Sequence, residues 1–140
     1  MSNTAAATAP QLRSVVVERD IPHPPEKIWR ALTQPHLIQE WLMKNDFMAV
    51  VGHDFKLSAD WGAVECRVTA VEPNKTLAYT WGAYGLESVV TWTLTPTSTG
   101  THLRMEQAGF RPDQKQALGG AKVGWQQFFA KLEELMARAD

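Results

Sequence analysis

The sequence predicts an α+β domain in which a curved antiparallel sheet packs against one long C-terminal helix. Three observations carry this. Between Asp54 and Gln107, apolar residues recur at every second position, the period of half-buried strands. From Gly120 to Arg138 the period becomes helical: Ala121, Trp125, Phe128, Phe129, Leu132, Leu135 and Met136 form one broad apolar stripe. The strands also follow one another through short turns, which favours an antiparallel meander over βαβ units.

Ser14 to Ile21 opens the series, with Val15, Val17 and Ile21 on one face and Val16, Glu18 and Asp20 on the other. Pro22-His-Pro-Pro25 ends that strand and suits the start of a helix, where a missing N–H does no harm. Ile28, Trp29 and Leu32 give the helix an apolar side. Pro35 restarts the chain in a second short helix bearing Leu37, Ile38, Trp41 and Leu42. Met48-Ala-Val-Val51 is expected to form a short strand.

Next, Phe55, Leu57 and Ala59 alternate with Lys56, Ser58 and Asp60. Trp61-Gly62 turns the chain, and Val64, Cys66, Val68 and Ala70 continue the alternation. After the Glu72-Pro-Asn-Lys75 turn, Leu77, Tyr79 and Trp81 share a face. Gly82 to Gly85 is expected as a loop. Ser88 to Thr95 and Thr101 to Gln107 follow, with Val90, Trp92, Leu94, Leu103, Met105 and Gln107 facing one way. Ala108 to Ala117 reads as a link to the last helix, whose start Gly119-Gly120 leaves open by several residues.

The chain has 140 residues, a formal net charge of −1 and one cysteine, Cys66. That length suits a single domain over 13–140, preceded by a disordered tail over 1–12. The near balance of charge gives no support for a nucleic-acid partner. One cysteine excludes an internal disulfide, and no apolar run approaches membrane-spanning length. The N-terminus lacks a secretory pattern, so the expected location is the cytoplasm.

Several segments resemble a known family. Glu26-Lys-Ile-Trp29, Ala31-Leu-Thr-Gln-Pro35 and Trp41 match its first part. Glu72-Pro-Asn-Lys-Thr-Leu77 with Tyr79-Thr-Trp81 matches its middle. Val90-Thr-Trp-Thr-Leu94, Gly100-Thr-His-Leu103, Glu106-Gln-Ala-Gly-Phe110 and Gly124-Trp125 match the rest. Together, in this order, they are similar to the SRPBCC (START-like, Bet v 1-like) superfamily. The subgroup they resemble is the one named after the C-terminal domain of the activator of Hsp90 ATPase. The resemblance implies a helix-grip fold, with an apolar cavity between sheet and C-terminal helix. It transfers no chaperone-binding position. One departure is Gly52-His53, where the family often has Gly-Gly.

The candidate ligand-binding residues are Trp41, Phe55, Tyr79, Trp81, Trp92, Met105, Gln107, Trp125, Phe128 and Phe129. The alternative is that these aromatics fill a solid core. Gln107 and Tyr79 are the polar groups best placed to orient a ligand. The pairs Glu65/Arg67 and Arg104/Glu106 read as solvated or cross-strand ion pairs on the outer face, the alternative being an arginine that reaches into the cavity to clamp a ligand carboxylate. His23, His36, His53 and His102 stand at no metal-ligand spacing, and no nucleophile motif or phosphate loop occurs. No catalytic residue, metal or cofactor is therefore expected. Cys66 reads as a buried, inert thiol.

The leading expectation is a module that binds a small hydrophobic molecule. Two others stand beside it: a partner of an Hsp90-type chaperone in a stress-related role, and a cyclase- or aromatase-like enzyme. A homodimer is left open.

Overall fold

A computed structural model describes residues 12–138. The expected tail falls on residues 1–11, outside the described residues, apart from Leu12. The elements run β1 (Arg13–Ile21), α1 (Pro25–Thr33), α2 (Pro35–Trp41), β2 (Lys44–Asn45), β3 (Asp54–Ala59), β4 (Gly62–Glu72), β5 (Thr76–Ala83), β6 (Leu86–Pro96), β7 (Thr101–Phe110) and α3 (Lys115–Arg138). The seven strands form one antiparallel sheet in the order β1-β7-β6-β5-β4-β3-β2. The expected α+β arrangement holds: a curved open sheet grips the long helix.

The alternation seen in sequence decides which face is inside. Leu77, Trp92, Met105 and Val17 pair in one row across four strands. Tyr79, Val90, Gln107 and Val15 form the next row. All eight side chains are buried. A one-residue slip would turn every one of them to solvent, so burial fixes the register. Arg19 also lies on the inner face of β1. Its guanidinium stands 5.7 Å from the centre of the Phe129 ring, bonds Gln126 and reaches Glu133 at 3.6 Å.

Both short helices begin with proline at a first-turn position, as their sequences suggest. Ile28, Ala31 and Leu32 of α1 and Ile38 and Trp41 of α2 are buried. The Trp41 indole N–H donates to the Ala31 carbonyl at 2.8 Å, tying the two helices together. Lys27 donates to the Met136 carbonyl at 2.8 Å, which anchors the end of α3.

Three expectations need correction. Met48–Val51 is not a strand; it lies in a turn region with Met48, Val50 and Val51 exposed. The short strand of this region is Lys44–Asn45, paired to Leu57 and Ser58. The Gly82–Gly85 loop shrinks to Tyr84-Gly85, because cross-strand pairing continues to Ala83 and Leu86. The link after Gln107 is also shorter: β7 runs on to Phe110, and α3 passes straight through Gly119 and Gly120. At Gly52, φ is 92°, a conformation that favours glycine, whereas His53 stacks beside Phe55 with ring centroids 6.4 Å apart.

Candidate functional site

The inner face carries two aromatic assemblies and one groove. In the first assembly Trp92 is central. Its ring lies 5.6 Å from Trp41, 5.6 Å from Phe129 and 5.7 Å from Trp125, centroid to centroid. In the second, Phe55 stands 5.0 Å from Phe47 and 5.2 Å from Tyr79. The Trp92 indole N–H joins the two by donating to the Tyr79 hydroxyl at 3.0 Å. These are edge-on and offset contacts of the kind aromatic quadrupoles favour. Trp41, Phe55, Tyr79, Trp92, Met105 and Phe129 are all buried and lie outside the groove lining.

The groove lies between the sheet and the N-terminal half of α3, with a volume of about 420 Å³. Trp81, Trp125 and Phe128 supply large walls, and Gln107 the buried polar wall. Trp81 and Trp125 lie 5.3 Å apart, and Trp125 and Phe128 5.5 Å. The helix contributes Ala117, Gly120, Ala121 and Gly124 to the same space. Their spacing puts them on one helix face. A Cβ built at Gly120 or Gly124 would meet nothing within 4 Å. The groove therefore exists because this face of the helix has almost no side chains.

Met43, Trp61, Tyr84 and Leu86 complete the lining. Sequence reasoning placed Trp61 and Tyr84 only in turns. Their signal was a large aromatic at each of two neighbouring hairpin tips. Tyr84 has φ of 51° and Gly85 of 81°, the two-residue hairpin turn whose central residues are both left-handed. The Tyr84 hydroxyl donates to the Trp61 carbonyl at 2.7 Å, and the rings stand 6.0 Å apart. Gly62 makes this possible, since a Cβ there would lie 2.7 Å from the Tyr84 oxygen. The two tips form a rim, with Trp61 and Tyr84 both exposed.

A hydrogen-bond chain fixes the polar wall. The Trp125 indole N–H donates to Gln107 Oε1 at 2.7 Å. Gln107 Nε2 donates to Ser88 Oγ at 3.0 Å, and Ser88 donates to the Trp81 carbonyl at 2.9 Å. The chain links β5, β6, β7 and α3 and sets the Gln107 amide in one orientation. Half of its hydrogen-bonding capacity is used; one N–H and one lone pair remain.

The ionisable groups lie elsewhere. Arg67 pairs with Asp54 at 2.7 and 3.1 Å, not with Glu65, and this bond holds the Asp54 carboxyl below its ordinary range. Arg104 and Glu106 pair at 3.3 Å. His102 sits between Glu18 at 2.8 Å and Asp20 at 2.7 Å, and those bonds, Glu18 first, raise its pKa. His53 bonds the Asp46 carbonyl at 2.9 Å. Burial pushes the Cys66 thiol up to about 12, which keeps it protonated and unreactive. Burial likewise raises the Tyr79 hydroxyl. No aspartate, glutamate, histidine, lysine or cysteine lines the groove.

The profile of the family described as "Activator of Hsp90 ATPase homolog 1-like protein" matches residues 22–137. The chain belongs to that family. This agrees with the SRPBCC resemblance read from its segments. The family fold recurs in the crystal structure of protein MLL2253 from Mesorhizobium loti, 69% identical, covering 91% of this chain and 99% of that one with a TM-score of 0.89. It recurs in the solution structure of BH1534 from Bacillus halodurans, 25% identical, covering 91% and 99% with a TM-score of 0.80. DynU16, from the dynemicin biosynthetic locus, is 24% identical over 89% of this chain and 47% of its own, with a TM-score of 0.82, and shares the fold. A comparison with curated proteins finds no match. No helix among the described residues is long and apolar enough to cross a membrane.

Proposed function

We propose that this family member binds a small, largely apolar molecule in the groove under the N-terminal half of α3. Trp81, Trp125 and Phe128 would contact it, with Gln107 offering its spare N–H or lone pair. Trp41, Phe55, Tyr79, Trp92 and Phe129, with Met105, would act from behind as a rigid apolar floor. The groove volume falls within the range of about 300–1,000 Å³ usual for small-molecule sites.

The glycines of α3 carry this reading. Each glycine inside a helix costs about 1 kcal/mol relative to alanine. Close packing usually explains such a cost, but no atom of the protein crowds Gly120 or Gly124. A helix that gives up stability to keep one face bare is consistent with space reserved for a ligand.

The experiment is a titration of N-phenyl-1-naphthylamine, read by dye emission and tryptophan quenching, on the wild type and Gly124→Leu. Leucine fills the groove and improves helix propensity. The expected result is binding by the wild type, loss of binding in the variant and an unchanged or higher Tm. Binding that survives the filled groove, or no binding by the wild type, would overturn the proposal.

The family description supports a second reading, contact with an Hsp90-type chaperone, with the exposed tip Met48, Val50 and Val51 as the surface to test. Stimulation of a bacterial-type Hsp90 ATPase would support it; a flat response would end it.

A further inference from the structure

The groove does not stop at its aromatic rim. A second concavity of about 710 Å³ shares Trp61, Tyr84, Leu86 and Ala117 with it, so the two spaces adjoin at the rim. The walls change along this path. The inner part is apolar except for Gln107. The outer part is bounded by Asp113 and Gln114 of the connection from β7 to α3 and by Lys115 and Gln116 of the first turn of α3.

These outer polar groups are not equally available. Asp113 is held by Arg111 at 3.1 Å. Gln114 Oε1 accepts the Arg111 backbone N–H at 2.8 Å, while its Nε2 donates to the Gly85 carbonyl at 3.3 Å. Both side chains are committed to the protein. Lys115 is exposed and has no ion pair or hydrogen-bond partner among the described residues, so its ammonium is the uncommitted charge of the outer part.

We infer that the ligand is amphipathic, with an aromatic or aliphatic body in the inner groove and an anionic group at the end that emerges beside Lys115. This rests on the groove-binding proposal and adds direction and charge to it. An apolar body gains by leaving water only in the inner part. A negative group gains there nothing, because its desolvation would go uncompensated. Beside Lys115 it stays hydrated and meets a cation that makes no ion pair among the described residues.

Two dyes with one aryl body separate these ideas: uncharged N-phenyl-1-naphthylamine and 1-anilinonaphthalene-8-sulfonate. Lys115→Gln should weaken sulfonate-dye binding about two- to fivefold at low salt, the scale of one exposed ion pair, and leave the uncharged dye unchanged. Lys115→Arg should restore the sulfonate dye. Raising salt should erase the difference. Equal effects on both dyes, or none on either, would overturn the anionic end while leaving the groove intact. If neither dye binds the wild type, the groove reading fails with it.

Discussion

The two halves of α3 lie on the same sheet and do opposite things. In the C-terminal half Phe129, Leu132, Leu135 and Met136 are buried, and the interior is solid. In the N-terminal half Gly120, Ala121 and Gly124 face a space of about 420 Å³. The C-terminal half also meets α1 and α2, through Lys27 on the Met136 carbonyl and Arg138 on Glu40. Where the helix side chains are large the interior is filled, and where they are small it is hollow. Trp125 and Phe128 stand at the boundary, with Trp125 packed on Trp92 on one side and lining the groove on the other.

The sharpest way to test this contrast is to truncate one tryptophan from each side. Trp92→Ala should destabilise the fold by about 3–5 kcal/mol in urea unfolding, since its ring is enclosed by three others. Trp81→Ala should cost less than half as much in the same experiment, because part of its ring already faces open space. Equal losses would mean that the groove is as tightly packed as the core.

A smaller effect is expected where the halves are joined. Gln107→Leu leaves the Trp125 indole N–H without its acceptor and Ser88 without its donor. A loss of about 1–3 kcal/mol should follow, the cost of a buried polar group left unmade. Near-ultraviolet circular dichroism should change as Trp125 loses its fixed orientation. An unchanged spectrum would sink the orienting role of this chain of bonds.

The smallest effect belongs to the outer face, which neither half touches. His102 gains its carboxylate partners on folding, so its folded pKa lies above the unfolded value of 6.5. Its contribution is fully present below pH 6.5 and fades as pH rises through the folded value. Wild type should therefore lose a little Tm between slightly acidic and mildly alkaline pH, and His102→Gln should flatten that slope. A slope identical in the variant would assign it to other groups.

The strands were legible because alternation is a local property: Val90, Trp92 and Leu94 point one way whatever packs on them. The long helix was legible from its stripe. Boundaries were less so, since hydrogen bonding extends β7 beyond the last alternating residue and helical pairing runs through Gly119 and Gly120. The groove was the hardest to read. Trp81 and Trp92 are alike in sequence, yet Trp92 is enclosed by Trp41, Trp125 and Phe129, whereas Trp81 meets Trp125 and the open groove. Trp61 and Tyr84 escaped because a rim forms from two turns that meet only in the folded sheet. Gly120 read only as part of an open helix start and Ala121 as part of the apolar stripe, so the hollow they share with Ala117 and Gly124 went unread.

The place of β1 has a consequence for how the chain comes to be. The first strand made pairs only with the last: Val17 meets Met105, and Ile21 meets Thr101. During synthesis β1 therefore waits, with Val15 and Val17 uncovered, until nearly the whole sequence has emerged. Pairing across such separation is slow, and an unpaired apolar strand is prone to stray association meanwhile. Glu18, Arg19 and Asp20, directly after the run of valines, are the kind of charge that restrains such association. A ribosome paused before β7 would hold a chain in which β1 has no strand to pair with and the long helix has not yet been made.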